Sequence, residues 1–167
     1  AEYTAEKAGV SRQEQDEFAM QSHRKAVAAQ EAGKFAAELV PLEIAGKSGP
    51  TTIAFDEAPR KDTSLESLAR LKPAFRKVGT VTAGNAPGLN DGASALVVAS
   101  LAFAKAHGLR PMARITGYAT GGGEPRDVFF APILAVQNLM KKAGTTIGAY
   151  DLIEANEAFA VQALVDG

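Results

Sequence analysis

The chain has 167 residues, with 18 basic and 19 acidic side chains and a formal net charge of −1. This balance argues against a nucleic-acid-binding module, which normally carries a strong basic excess. A hydrophobic fraction of 46% excludes wholesale disorder. No uncharged apolar run approaches the roughly 20 residues that a membrane helix needs, so we expect no membrane partner.

The absence of cysteine narrows the chemistry further. Without cysteine the chain has no disulfide, no thiolate metal ligand and no thiol nucleophile. The two histidines, His23 and His107, are far apart, so we interpret each as an ordinary surface or partly buried residue and expect no metal site. The chain begins at Ala1 without a signal peptide. We therefore expect a cytoplasmic protein of which this chain is a piece.

The first third predicts a long helix followed by a hairpin. A capping-box spacing begins at Ser11, where serine and glutamate side chains can satisfy free backbone amides. Good helix formers follow, and Gly33 is suited to end the helix in the left-handed conformation. Two apolar runs at 39–44 and 51–55 are separated by turn-forming residues and predict two strands.

The rest of the chain predicts alternating helices and strands. A second capping-box spacing at Ser64 predicts a short helix that stops before Pro73. Apolar runs predict buried or half-buried strands at 96–99, 113–118 and 151–155, and helical patterns occupy 101–107 and 132–142. This alternation favours an α/β fold.

Three segments are candidates for chemistry on residue type alone. The glycine-rich segment 121–125 fits neither a P-loop nor a dinucleotide fingerprint and predicts a turn. The segment 80–92 concentrates small residues, which suits a loop approached by a ligand and a structural loop equally well. Asn156, flanked by Glu154 and Glu157, stands where we expect a helix to begin, and a polar residue there is often only a cap.

Two of these segments resemble motifs of the thiolase family. The sequence NEAF occupies Asn156–Phe159 and is similar to the thiolase NEAF motif. Gly79–Ala93 reads GTVTAGNAPGLNDGA, which resembles the thiolase signature GTVTAGNASGxNDGA. Supporting blocks at Ser11–Ala19, Arg60 and Leu71–Phe75 occur in the family's order. The resemblance covers essentially the whole chain and is strongest to the acetyl-CoA acetyltransferase branch.

The resemblance implies a thiolase-like layered αβαβα fold, of which only the central part is present. Residues 1–78 would belong to the loop domain that binds coenzyme A (CoA). Residues 79–110 would end the N-terminal thiolase half, and residues 111–167 would start the C-terminal half. The family also implies a homo-oligomer, a dimer or a tetramer, when the protein is intact.

The implied reaction is condensation of acyl-CoA thioesters, or thiolysis in reverse, with a CoA thioester as substrate and no prosthetic group. Such a reaction needs an activated nucleophile and fixed donors for the developing charge. The family's cysteine and histidine motifs lie outside the region that this chain resembles, so we expect the chain alone to be inactive. The alternative is a non-catalytic CoA-binding or structural fragment. A condensing enzyme of fatty-acid synthesis shares the layered fold, but the two motifs argue against it.

The resemblance also assigns individual residues. Asn156 would hold a water of the oxyanion hole, Arg60 would lie near the CoA nucleotide, and Ser67 would lie near the junction of pantetheine and nucleotide. The pantetheine tunnel would be lined by Leu71, Ala74, Phe75, Ala83, Gly88 and Phe159. Pro87 stands where many members have a serine, so a hydroxyl contact with pantetheine is lost here.

Overall fold

The computed structural model describes all 167 residues, which divide into two units. Residues 1–88 and 155–167 form the first unit, and residues 89–154 form the second. In chain order the elements are α1 (Glu2–Ala8), α2 (Arg12–Glu31), β1 (Leu42–Ile44), β2 (Thr51–Ile53), α3 (Leu65–Ala69), α4 (Leu101–Ala106), a 3₁₀ helix (Pro125–Phe130), α5 (Ala131–Ala143), a second 3₁₀ helix (Ile147–Ala149) and α6 (Ala160–Asp166). None of these helices combines the length and the hydrophobicity needed to cross a membrane.

Helix α2 begins and ends where the sequence predicts. The Ser11 hydroxyl accepts a hydrogen bond from the Glu14 amide at 3.2 Å, and the Glu14 carboxylate accepts one from the Ser11 amide at 2.7 Å. These bonds satisfy amides that have no partner within the first turn of a helix. The chain leaves the helix through Gly33 at φ 66°, a conformation that side chains with a Cβ disfavour.

The predicted hairpin is confirmed, with shorter strands than the apolar runs. β1 and β2 pair antiparallel, and Leu42 lies opposite Ile53. Gly46 and Gly49 close the turn through two backbone hydrogen bonds of 3.1 and 3.2 Å. Leu42 and Ile44 are exposed, so the hairpin contributes little to the core.

The core of the first unit forms where its helices meet. Helix α2 packs against α3 and α6, and α1 packs against α6. The buried apolar residues of this unit are Ala5, Ala19, Met20, Leu68, Val81, Ala160 and Val161. Many of them are small, so the helices approach closely and the polar side chains between them are buried as well.

The three strands predicted at 96–99, 113–118 and 151–155 are wrong for this chain. These segments are irregular, and β1–β2 is the one sheet present. A strand forms only when its backbone groups find hydrogen-bonding partners on a neighbour, which periodicity within one segment cannot supply. The predicted burial fails for the same reason, since Val97 is 94% exposed and Ile153 is 58% exposed.

The later helices are predicted closely, except for the last. Helix α5 extends one residue beyond the predicted 132–142 at each end, and Gly144 ends it at φ 66°. The helix expected to begin at Asn156 begins instead at Ala160. The carbonyl of Asn156 accepts the Ala158 amide at 3.0 Å, so a tight turn replaces the first turn of the expected helix. Asn156 is therefore not a helix cap.

Candidate functional site

A cavity of about 630 Å³ lies in the first unit. Its walls come from α2, the segment that precedes α3, α3 itself, the loop 83–88 and the segment that enters α6. The lining residues are Phe18, Ala19, Ser22, His23, Ala58, Arg60, Asp62, Thr63, Ser67, Leu68, Leu71, Ala83, Gly84, Asn85, Ala86, Pro87, Gly88, Glu157, Ala158, Phe159 and Ala160. The cavity thus has the size and the mixed polar and apolar lining of a small-molecule site.

Most of the residues assigned from the sequence meet at this cavity. Arg60, Ser67, Leu71, Ala83, Gly88 and Phe159 all belong to its lining. They come from separate stretches of the chain, so their proximity is a product of folding.

Three of the assigned residues do not line the cavity. Ala74 and Phe75 follow the lining residue Leu71 in the chain, and Phe75 is 64% exposed. Asn156 is exposed and immediately precedes the lining segment Glu157–Ala160.

The loop that carries the thiolase-like signature is held by its own side chains. The carboxamide oxygen of Asn85 accepts the Thr82 amide at 2.8 Å, and the Thr82 hydroxyl accepts the Gly84 amide at 3.1 Å. A Cβ on Gly84 would lie 2.4 Å from Leu68 Cδ2 and 2.6 Å from Leu71 Cδ1. Only glycine lets the loop approach α3 this closely, so the loop is at once a structural element and a cavity wall.

A carboxylate from α1 fastens the start of this loop. Glu2 accepts hydrogen bonds from the Thr80 amide at 2.9 Å, the Thr80 hydroxyl at 3.1 Å and the Val81 amide at 3.1 Å. Burial raises the pKa of Glu2, but the hydrogen bonds from Thr80 and Val81 outweigh it and hold that pKa below its ordinary value. A Cβ on Gly79 would lie 2.3 Å from the Glu2 carboxylate, so a larger residue there would displace that carboxylate from its present position.

His23 lines the cavity, although the sequence alone indicates an ordinary surface or partly buried residue. Its Nδ1 accepts the backbone amide of Arg60 at 3.2 Å and so joins α2 to the segment that carries the guanidinium. The signal that could have found it is helical spacing. His23 lies four residues after Ala19, so both side chains fall on the same face of α2.

The segment that enters α6 is tied to two other walls. The Ser22 hydroxyl donates to the Glu157 carboxylate at 2.5 Å, and the Ala160 amide donates to the Asn85 carbonyl at 3.1 Å. The Arg60 guanidinium can pair with a phosphate. The small apolar groups of the loop wall, such as Ala83 and Ala86, suit an uncharged part of a ligand. The arrangement therefore fits a ligand with an anionic end and a slender neutral arm.

The structure brings together no group of three or more histidine and acidic side chains that could hold a metal ion. The chain also contains no cysteine, so no thiol faces the cavity.

Two models of one family match the chain, one in each part. Residues 1–102 match the thiolase N-terminal domain, and residues 109–167 match the thiolase C-terminal domain. The chain belongs to the thiolase family.

Individual relatives and solved structures agree with this assignment. The chain is 51% identical to a beta-ketoadipyl-CoA thiolase of Pseudomonas aeruginosa and 51% identical to an acetyl-CoA acetyltransferase of Paracoccus denitrificans, over 98% of its own length in both cases. It spans 41% and 42% of the lengths of these relatives. The crystal structure of the Bacillus anthracis acetyl-CoA acetyltransferase matches 99% of the chain with a TM-score of 0.90 and 44% identity, and the chain covers 42% of it. The expected partial thiolase fold is confirmed.

Proposed function

We propose that the whole protein is an acyltransferase that condenses acyl-CoA thioesters or cleaves them with CoA, and that the cavity of the first unit binds part of CoA. One observation carries this proposal. In a chain of the thiolase family, the six residues Arg60, Ser67, Leu71, Ala83, Gly88 and Phe159 line a single cavity. In this proposal the Arg60 guanidinium contacts the nucleotide end, and the apolar wall holds pantetheine.

Asn156 is proposed to hold the water of the oxyanion hole. It is next to the lining residue Glu157, which is anchored to Ser22 at 2.5 Å. The tight turn at Asn156–Ala158, rather than a helix, holds the backbone at this position. Ala74 and Phe75 are proposed to continue the pantetheine tunnel beyond Leu71.

The substrate class rests on the relatives. An acetyl-CoA acetyltransferase and a beta-ketoadipyl-CoA thiolase are equally similar to this chain, and several further acetyl-CoA acetyltransferases follow. We propose acetyl-CoA and acetoacetyl-CoA as the substrates, in a homo-oligomeric cytoplasmic enzyme. The division of the chain at residues 78 and 110 into a loop domain and two thiolase halves also remains a proposal.

A second candidate function concerns the 167-residue chain on its own, which would bind CoA without catalysing a reaction. Its lack of cysteine favours this alternative, because the acyl transfer that the family resemblance implies uses a thiol nucleophile, which the chain does not contain. The proposal therefore assigns turnover to the whole protein and only binding to these residues.

The experiment compares the whole protein with its Arg60→Ala variant in the thiolysis of acetoacetyl-CoA. Loss of a nucleotide contact made equally in the ground state and the transition state should raise KM for CoA by about tenfold, which corresponds to about 1.4 kcal/mol, and leave kcat nearly unchanged. Arg24→Ala is the matched control, because Arg24 is an exposed arginine of α2 outside the cavity lining. Absence of thiolysis in the whole protein would refute the function, and an unchanged KM in Arg60→Ala would refute the assigned nucleotide contact.

A further inference from the structure

A buried carboxylate lies behind the cavity without belonging to its lining. Asp16 is 4% exposed and projects from α2. One carboxylate oxygen accepts Nε of Arg12 at 2.7 Å, and the other accepts Nδ2 of Asn85 at 2.9 Å. A buried charge is tolerated when each of its oxygens is paired in this way.

The Arg12 arm of this network reaches α3. Its Nη2 donates to the carbonyl of Leu68 at 2.6 Å and to the carbonyl of Leu71 at 3.2 Å. The Leu68 carbonyl also accepts the Leu71 amide at 3.0 Å, so Arg12 adds a second bond from another helix to the C-terminal end of α3. Leu68 and Leu71 both line the cavity, and the arginine thus fixes their backbone.

The Asn85 arm of the network holds the loop at 80–88, whose residues 83–88 form another wall of the cavity. Its Nδ2 also donates to the Thr80 carbonyl at 3.0 Å, and its Oδ1 accepts the Thr82 amide. Its backbone carbonyl accepts the Ala160 amide, which begins α6. Asn85 is 4% exposed and lines the cavity itself. The side chain of Asn85 thus fixes the loop, and its backbone carbonyl fixes the entry to α6.

We infer that Asp16 is a positioning residue that sets how the α3 wall and the neighbouring loop wall are placed relative to each other, and so determines how tightly the cavity holds CoA. Arg12 holds one wall and Asn85 holds the other, and the Asp16 carboxylate is the group that joins them. The inference rests on the proposed function, because it takes CoA as the ligand. Since Asp16 does not line the cavity, its effect must pass through the two walls.

The test uses Asp16→Asn in the whole protein. Asparagine has the same shape, but one of the two oxygen positions becomes an NH2 group, which would face the donor of either Arg12 or Asn85 without accepting from it. Glu17→Gln is the matched control, because Glu17 is on the same helix and accepts a hydrogen bond from Gln13 in an exposed i, i+4 pair. KM for CoA, kcat, melting temperature and hydrogen exchange of the amides at 80–88 are measured for both variants and for the parent protein.

We expect Asp16→Asn to raise KM for CoA by about tenfold, since small displacements of a positioning wall have large effects on ligand placement. We expect kcat to stay within about twofold of the parent, because the contact is remote from the reacting atoms. Exchange of the 80–88 amides should become faster, and Glu17→Gln should change none of these quantities. Arg60→Ala should raise KM without any change in exchange, because it removes a ligand contact and leaves the walls in place.

Two results would overturn the inference. One is a lower melting temperature with KM and amide exchange unchanged, which makes Asp16 a stabilising residue only. The other is a fall in kcat with KM unchanged, which assigns Asp16 to the chemical step. If the parent protein shows no turnover of CoA thioesters, the proposed function fails. The exchange measurement then decides the role of Asp16 alone, with faster exchange supporting it and unchanged exchange overturning it.

Discussion

The protonation state of Glu2 affects how firmly the loop that begins at Thr80 is held. Its carboxylate accepts three donors from Thr80 and Val81, and these bonds hold its pKa below the ordinary 4.5. A carboxyl with a lowered pKa in the folded state stabilises the fold fully above its unfolded pKa. That contribution is lost as the pH falls through the lower, folded value.

We predict that Glu2→Gln destabilises the protein at neutral pH, because one of the two oxygens that accept hydrogen bonds from Thr80 and Val81 becomes an amide nitrogen, which cannot accept them. The expected loss is about 1–3 kcal/mol. We also expect a smaller loss of stability on acidification below about pH 4.5 than in the parent. Thermal unfolding at several pH values measures both effects. The control is Glu38→Gln, an exposed carboxylate on the same unit. An identical pH dependence in Glu2→Gln and the parent would contradict the prediction.

A structural role and a catalytic role of Asn156 predict different effects of its substitution on melting temperature and turnover. Because α6 begins at Ala160, the carboxamide of Asn156 does not cap a helix, and Asn156→Ala should leave the melting temperature almost unchanged. If Asn156 holds the water of the oxyanion hole, the substitution should lower turnover of the whole protein by about tenfold or more, with a modest effect on CoA affinity.

Turnover and melting temperature of Asn156→Ala are measured on the same preparation. Asn138→Ala serves as the control, because Asn138 is another exposed asparagine and its carboxamide donates to the Thr120 carbonyl in the second unit. Normal turnover in Asn156→Ala, whatever its melting temperature, would remove Asn156 from the catalytic machinery.

At the scale of single elements, the features that the sequence predicts are local ones. The starts of α2 and α3 follow from Ser11 and Ser64, whose capping boxes are complete within four residues of chain. The ends of α2 and α5 follow from Gly33 and Gly144 in the same way. Each of these features requires only neighbours in the sequence.

The features that the sequence does not predict depend on distant partners. Val97 and Ile153 suit buried strands by residue type, yet neither segment finds a neighbouring strand in this chain. In the cavity, the family motifs predict Ala83 and Gly88 but not the role of Asp16. The i, i+4 spacing from Arg12 to Asp16 is visible in the sequence, whereas the partner Asn85 is 69 residues further on.

At the scale of the whole chain, the accessible surface area is larger than that of a compact protein of the same mass. The accessible surface is 13269 Å². A compact monomer of 17.4 kDa has about 7,900 Å², and even two separate compact units of these lengths would have only roughly 9,400 Å². Large apolar side chains of the second unit contribute to this surface, since Leu96, Met112 and Leu152 are 87%, 103% and 85% exposed. Surface of this kind is normally covered by other protein.

We predict that the isolated 167-residue chain self-associates, and that Val97→Glu weakens the association. Val97 is 94% exposed, so its replacement removes apolar surface without opening a cavity. Gln137→Glu is the matched control, because it adds the same charge at an exposed polar position of α5 in the same unit. Sedimentation velocity over a range of concentrations measures the association, and calorimetry shows whether the chain melts cooperatively. Since apolar contact drives the association, Val97→Glu should shift the distribution toward smaller species and Gln137→Glu should not. A monomeric parent chain with a single cooperative melting transition would show that these apolar segments need no cover.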